Sequence, residues 1–171
     1  VRRFKVVVAD PPWPFNDQLP GPGRGAAKHY SMMTLSDIVN YELPPIADDA
    51  VLFLWRVATM QPEAIAVCRA WGFVPRTELV WQKLTATGKP WFGMGRLLRG
   101  AHESVLVGYR VGGKPKRRAA NVRSVFAAMV GEHSEKPEEF YALVERLLPG
   151  PYLELFARRE RRGWTTIGDE L

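Results

Sequence analysis

Hydrophobic residues along the chain fall into two alternating patterns. Short β-branched or aromatic runs, Lys5 to Ala9 (KVVVA) and Val51 to Trp55 (VLFLW), predict strands buried on both faces. Glu78 to Gln82, Ser104 to Tyr109 (SVLVGY) and Tyr152 to Phe156 (YLELF) predict three more, the last closing the sheet. Between them lie helical periods. Thr34 to Tyr41 opens on a threonine cap, and Pro62 to Trp71 sets Ala64, Ile65, Cys68 and Trp71 on one face. Pro62 near the start of that helix and Gly72 just beyond its end follow the usual asymmetry of helix termini. Pro137 to Leu148 carries Phe140, Leu143, Val144, Leu147 and Leu148 at helical spacing, with Glu138 and Glu139 in the first turn.

Alternating strands and helices predict a doubly wound α/β domain, a mostly parallel sheet with helices on both faces. Its length of 171 residues suits a single domain spanning 1–171, and neither repeat nor linker divides it. Two stretches break the rhythm. Pro14 to Ser31 is rich in glycine and proline, and Leu84 to Gly100 holds Trp91, Phe92, Arg96 and Arg99. Both follow strands, so both are placed to overhang the carboxyl end of the sheet, where open α/β folds bind ligands.

Composition narrows the choice of partner. The hydrophobic fraction of 46% and the charged fraction of 25% are those of a globular protein, and no apolar run reaches membrane-spanning length. Val1-Arg2-Arg3 leads directly into the first strand without a signal-peptide h-region. Cys68 stands alone, which excludes an internal disulfide and a thiolate-rich zinc cluster and fits a cytoplasmic, reducing setting. A net charge of +6 favours a polyanionic partner. Lys114 to Arg118 (KPKRR) and Arg158 to Arg162 (RRERR) are either phosphate-contacting clusters or solvated surface. Gly93-Met94-Gly95 has no following helix signal and is weak as a phosphate loop.

Asp10-Pro11-Pro12-Trp13, directly after the first strand, carries the chemistry. A carboxylate there faces the ligand crevice, and the two prolines stiffen the turn while leaving their carbonyls as acceptors. This arrangement suits an aromatic amine such as adenine N6, whose lone pair is delocalised into the ring. Accepting hydrogen bonds from both of its hydrogens, one at Asp10 and one at the Pro11 carbonyl, frees that lone pair for attack. The Trp13 indole is then expected to be a stacking platform for the base, worth about 1–3 kcal/mol. The competing interpretation is a strand-ending turn with Trp13 in the core.

With these residues the chain resembles the permuted N6-adenine methyltransferases named after the seventy-kilodalton subunit of messenger-RNA adenosine methyltransferase. The resemblance extends through His29-Tyr30-Ser31, Leu52 to Trp55, Val80 to Lys83, His102-Glu103, Leu106 to Gly108 and Val122 to Ser124. It continues in Ser134 to Glu138, Glu145 to Gly150, Glu154 to Arg158 and Trp164 to Leu171. It implies a Rossmann-like fold in permuted motif order and S-adenosylmethionine as cofactor. Asp10 to Trp13 would hold the amine and meet the donor's methionine part, and Lys136 would reach the cofactor. Phe156 and Arg158 would flank its adenosine, and Asp169 and Glu170 would bind its ribose, where the messenger-RNA enzymes have Asn-Gln. Tyr30, Glu103 and Ser134 would receive the target nucleotide. The permuted order also accounts for the missing N-terminal glycine fingerprint. The expected substrate is DNA, with RNA as the alternative and a homo- or heterodimeric partner left open. A noncatalytic subunit is the competing class, against which the intact acceptor pair argues. Methylation of a protein amide would call for Asn and Tyr at the ends of the motif.

Overall fold

A computed structural model describes residues 1–14, 32–132 and 135–171. The described residues form one seven-stranded sheet. Its strands are β1 (Phe4–Ala9), β2 (Ile46–Arg56), β3 (Phe73–Leu84), β4 (His102–Arg110), β5 (Val125–Met129), β6 (Tyr152–Leu155) and β7 (Trp164–Ile167). Three α-helices accompany them among the described residues: α1 (Leu35–Val39), α2 (Gln61–Ala70), which a short 3-10 turn Ala58–Met60 precedes, and α3 (Glu138–Leu147). The spatial order is β5-β3-β4-β2-β1-β6-β7. β1 pairs in parallel with β2 and β6, β6 with β7, and β3 with β5, whereas β4 is antiparallel to both β2 and β3. Six strands therefore run one way and β4 alone runs against them.

Period-two alternation in β1 serves both faces at once. Val7 and Ala9 join Leu52, Leu54, Leu153 and Leu155 on the side covered by α1 and α2. Val6 and Val8 join Phe53, Trp55 and Trp81 on the side covered by α3. The α3 anchor is Phe140, fully buried and edge-on to Phe53 at 6.1 Å between centroids. Truncating such a side chain to alanine costs about 3–5 kcal/mol.

Local chemistry sets the helix ends. Thr34 caps α1 with a reciprocal capping box to Asp37. Gly72, at φ 81°, takes the left-handed position just past α2. In α2 the buried face is Ala64, Val67 and Cys68, with Ile65 only partly covered.

Several boundaries differ from the pattern-based expectation. β2 begins at Ile46, five residues early, because Phe4 pairs with Ile46 across the Asp48-Asp49 interruption. β3 begins at Phe73 and tolerates Pro75 at a register shift, where β5 does not yet reach it. Tyr152–Leu155 is not the last strand: β7 follows and pairs with it along its length. β5 was not expected at all. Among the described residues no helix is long and apolar enough to cross a membrane.

Candidate active site

The chain fills one flank of β1 with β2 and returns to the other flank only with β6. The carboxyl ends of β1 and β6 therefore diverge at a topological switch point, where a crevice opens. Asp10 follows β1 there, and Phe156 follows β6. Because β4 is reversed, its first residues lie at the same rim, and Glu103 arrives beside Asp10 from the opposite chain direction.

Four charges from four segments form one chain. The Lys136 ammonium lies 2.7 Å from Glu103 Oε1 and 3.4 Å from Asp10 Oδ2, and Lys83 lies 2.7 Å from Glu103 Oε2. Lys136 also sits 4.5 Å above the Trp55 ring. Burial works against its charge, yet attraction from Asp10 and Glu103 and their hydrogen bonds outweigh this and raise its pKa. Burial likewise opposes ionisation of Glu103, but Lys136 and Lys83 together hold its carboxyl below the ordinary range. Asp10 Oδ1 carries no bond among the described residues.

The Asp-Pro-Pro-Trp turn is tight. Trp13 N–H donates to the Pro11 carbonyl at 2.8 Å, and Met33 N–H donates to that of Pro12 at 3.2 Å. Both carbonyls are thus partly engaged, each keeping a second lone pair. The stacking role expected of Trp13 is corrected by its position. Its side chain is 5% exposed within the α1–α2 core, and its indole N–H donates to the Trp55 carbonyl at 2.9 Å. The ring locks the turn to β2 and leaves no face open to a base.

Two cavities meet at Asp10, Phe156 and Arg158. The larger, about 580 Å³, is walled by Pro12, Met33, Tyr41, Phe156, Asp169 and Glu170. The smaller, about 340 Å³, is walled by Asp10, Trp55, Lys136, Tyr141, Glu154 and Arg158. Phe156 adopts φ 59°, a left-handed backbone that costs a non-glycine residue about 1–3 kcal/mol. Its ring packs against Tyr41 at 4.9 Å. Ala157 N–H then donates to the Ile167 carbonyl at 3.0 Å. A Cβ on Gly168 would lie 2.0 Å from the Ala157 oxygen, so only glycine lets this close pass deliver Asp169 and Glu170 to the rim.

Asp10, Lys136, Phe156, Arg158, Asp169 and Glu170 are therefore gathered at one crevice. Tyr30 and Ser134 lie outside the described residues. Glu103 has both oxygens taken by lysines, so the geometry gives it the task of holding Lys136. Sequence reasoning named Trp55, Lys83 and Glu154 only within the blocks of resemblance and gave them no place at the site, and it missed Tyr141 on α3; the order of strands in the sheet brings the first three to this rim. The Arg158 to Arg162 cluster is not a free phosphate surface. Arg161 pairs with Glu138 at 2.5 Å and lies over the Tyr141 ring, and Arg159 pairs with Glu135 and Glu138.

Carboxylates dominate the crevice walls, with Asp10, Glu154, Asp169 and Glu170 among them. Lys136, Arg158 and Arg159 line the same walls, so the crevice presents both signs of charge. The cavities are of ordinary small-molecule size, about 300–1,000 Å³.

Fold and crevice define a Rossmann-like methyltransferase fold. The MT-A70 family model matches residues 4–170, and the chain belongs to the MT-A70 family. It is 31% identical to the N(6)-adenosine-methyltransferase catalytic subunit METTL3 of Homo sapiens, over 99% of this chain and 28% of that protein. It is also 31% identical to the N(6)-adenosine-methyltransferase MT-A70-like protein of Arabidopsis thaliana, over 98% of this chain and 24% of that one. The Type II methyltransferase M.MunI of Mycoplasma sp is 29% identical over 99% of this chain and 78% of its own length. The chain thus spans about a quarter of the length of the two N(6)-adenosine-methyltransferases and most of that of M.MunI.

Proposed function

We propose that the chain transfers the methyl group of S-adenosylmethionine to the exocyclic N6 of adenine in DNA. The carrying observation is Asp10, which follows β1 at the junction of the two cavities with one oxygen held by Lys136 and the other without a partner among the described residues. S-adenosylmethionine supplies an activated methyl group on a sulfonium, so the protein's part is positioning and preorganised dipoles.

Asp169 and Glu170 accept from the ribose hydroxyls, and Phe156 and Arg158 flank the adenosine. Asp10 and the second lone pair of the Pro11 carbonyl accept hydrogen bonds from the two N6 hydrogens, turning the nitrogen lone pair toward the donor, and the one proton that N6 loses on methylation would leave by way of the Asp10 carboxylate to solvent. Lys136 fixes the Asp10 carboxylate, and Glu103 positions Lys136. The choice of DNA is supported by the similarity to a Type II methyltransferase, while the net charge of +6 suits either polymer. RNA is the second reading, favoured by the N(6)-adenosine-methyltransferase relatives.

The test supplies tritiated S-adenosylmethionine with matched single-stranded DNA, duplex DNA and RNA, using Asp10→Ala as control. Label on adenine N6 that falls at least about 10²-fold in Asp10→Ala supports the assignment, and the preferred polymer settles the substrate. Cofactor binding without transfer to any polymer would instead mark a noncatalytic subunit.

A further inference from the structure

β4 is the reversed strand, so the chain leaves it at the rim opposite Asp10 and must cross β3 to reach β5. A mostly parallel sheet is ordinarily covered by helices on both faces. This crossing forms none: residues 113–124 are neither helix nor strand. Arg118 ties the crossing to α3, its N–H donating to the Leu147 carbonyl at 2.7 Å and its guanidinium to the Glu145 carbonyl at 3.4 Å. Beneath the irregular stretch lies a cavity of about 530 Å³. Its floor is the buried sheet residues Val51, Phe53, Leu79 and Val107, and Leu143 and Leu147 of α3 form one wall. It shares no lining residue with the two crevice cavities.

Polar groups are few and sit at the edge. Thr77 and Ser124 bring hydroxyls to the wall, and Tyr109 brings a half-buried ring. Glu78, the one acid there, pairs with Arg56 at 3.1 Å. Arg117 and Arg123 also line the cavity; both are exposed, and neither guanidinium has an ion pair or hydrogen bond among the described residues. Lys114 and Lys116 are likewise unpaired, and residues 110–124 contain no acid. In the 158–162 cluster, by contrast, glutamates neutralise Arg159 and Arg161. Unpaired guanidinium groups beside an apolar cavity suit a ligand with an anionic group outside and a flat apolar body within. A nucleotide has that layout, with its phosphate at one end and a stacking base at the other.

We propose that this cavity is a second nucleotide-binding site, which takes a base among Thr77, Tyr109 and Leu143 and its phosphate between Arg117 and Arg123. Lys116 and Lys114 continue the line of cations along the same segment. Neighbouring phosphates of a strand would meet counter-charges there, whereas a free nucleotide would engage the arginines alone. Binding here requires neither the methyl donor nor a target adenine, so it stands or falls apart from the proposed methyl transfer.

The experiment measures, by fluorescence anisotropy, the binding of a single-stranded oligothymidylate of about twelve nucleotides and of an abasic strand of equal length. Neither contains the adenine proposed to enter the Asp10 crevice. The site predicts about tenfold tighter binding of the oligothymidylate, the scale of one seated base. Thr77→Trp and Ser124→Trp fill the cavity from β3 and from the crossing segment, both at exposed positions. Each should erase the preference, with urea midpoints confirming that the variants fold. Arg117→Gln/Arg123→Gln should reduce the slope of log affinity against log salt by about 1.4, at about 0.7 per phosphate of a single strand. Displacement of the oligothymidylate by thymidine monophosphate at matched phosphate concentration makes the free nucleotide the ligand. Resistance to displacement makes the strand the ligand, and both results uphold the site. Equal affinity for the two strands, a preference that survives in either folded tryptophan variant, or an unchanged salt slope overturns it. So does equal binding of an oligoglutamate peptide of the same charge, which would mark the cations as a surface for an acidic protein.

Discussion

Glu103 and Glu154 stand at two ends of the same crevice rim, and their carboxyls behave in opposite ways. The Glu103 side chain is 27% exposed and its pKa is lowered; that of Glu154 is 13% exposed and its pKa is raised. Burial pushes both upward. Glu103 is clasped by two ammonium groups at 2.7 Å, enough to reverse that push. Glu154 accepts a hydrogen bond from the Tyr141 hydroxyl at 2.6 Å, but its guanidinium partner Arg161 is 3.8 Å away and shared with Glu138. A neutral donor and a distant, divided cation do not offset the loss of water. The state of a buried carboxylate here is set by whether a full counter-charge sits at contact distance. One end of the rim is therefore a fixed ion lattice and the other a place where a carboxyl group holds its proton more readily.

The contrast breaks most severely at Lys136. Lys136→Met leaves Asp10 without its cation and Glu103 with only Lys83. Methyl transfer measured in single turnover should fall by about 10²-fold, the scale of a lost preorganised electrostatic partner. Glu103→Gln is expected to be milder, with transfer down about tenfold and stability down by roughly 1–3 kcal/mol at neutral pH. Because the folded pKa of Glu103 is depressed, its contribution is present above the unfolded value and is lost as pH falls through the folded one. Urea midpoints of Glu103→Gln and the unaltered protein should therefore differ at neutral pH and converge in acid.

Glu154→Gln sharpens the comparison with the smallest change and the opposite sign. Its folded pKa is raised, so its stabilising contribution is complete below the unfolded value and is lost as pH rises through the folded one. The two proteins should match in acid, and Glu154→Gln should become the more stable at neutral pH, by under about 1.5 kcal/mol. A neutral-pH loss in Glu154→Gln would mean that Arg161 satisfies the carboxylate better than its 3.8 Å separation indicates.

Much of this arrangement was legible in the sequence, and the omissions have physical causes. β1 and the centre of β2 are read easily because strands covered on both faces must be apolar at successive positions. β5 was missed because it is an edge strand: Val125 and Met129 are exposed, and only Ala128 is buried. β7 offers four residues, Trp164-Thr165-Thr166-Ile167, too few for a period to show. The Asp10 motif was visible because its chemistry and its place after a strand coincide. Trp13 was misread because an aromatic after a turn looks the same whether it faces a ligand or the core. Lys83 and Glu154 were given no place at the site because each lies within a strand-forming run, and only strand order shows that their ends converge on Asp10.

The central place of β1 has a consequence for how the protein fails. Its amides and carbonyls are bonded on one side to β2 and on the other to β6, so the strand has no free edge from which to fray. Val7 and Val8 amides should exchange with solvent deuterium only through opening of the whole sheet, whereas those of the edge strand β5 escape through local fluctuation. Asp10 is anchored one residue beyond that slowest-exchanging segment. Loss of the acceptor geometry on heating is then all-or-none: thermal inactivation and global unfolding coincide, with no partly softened site surviving between them.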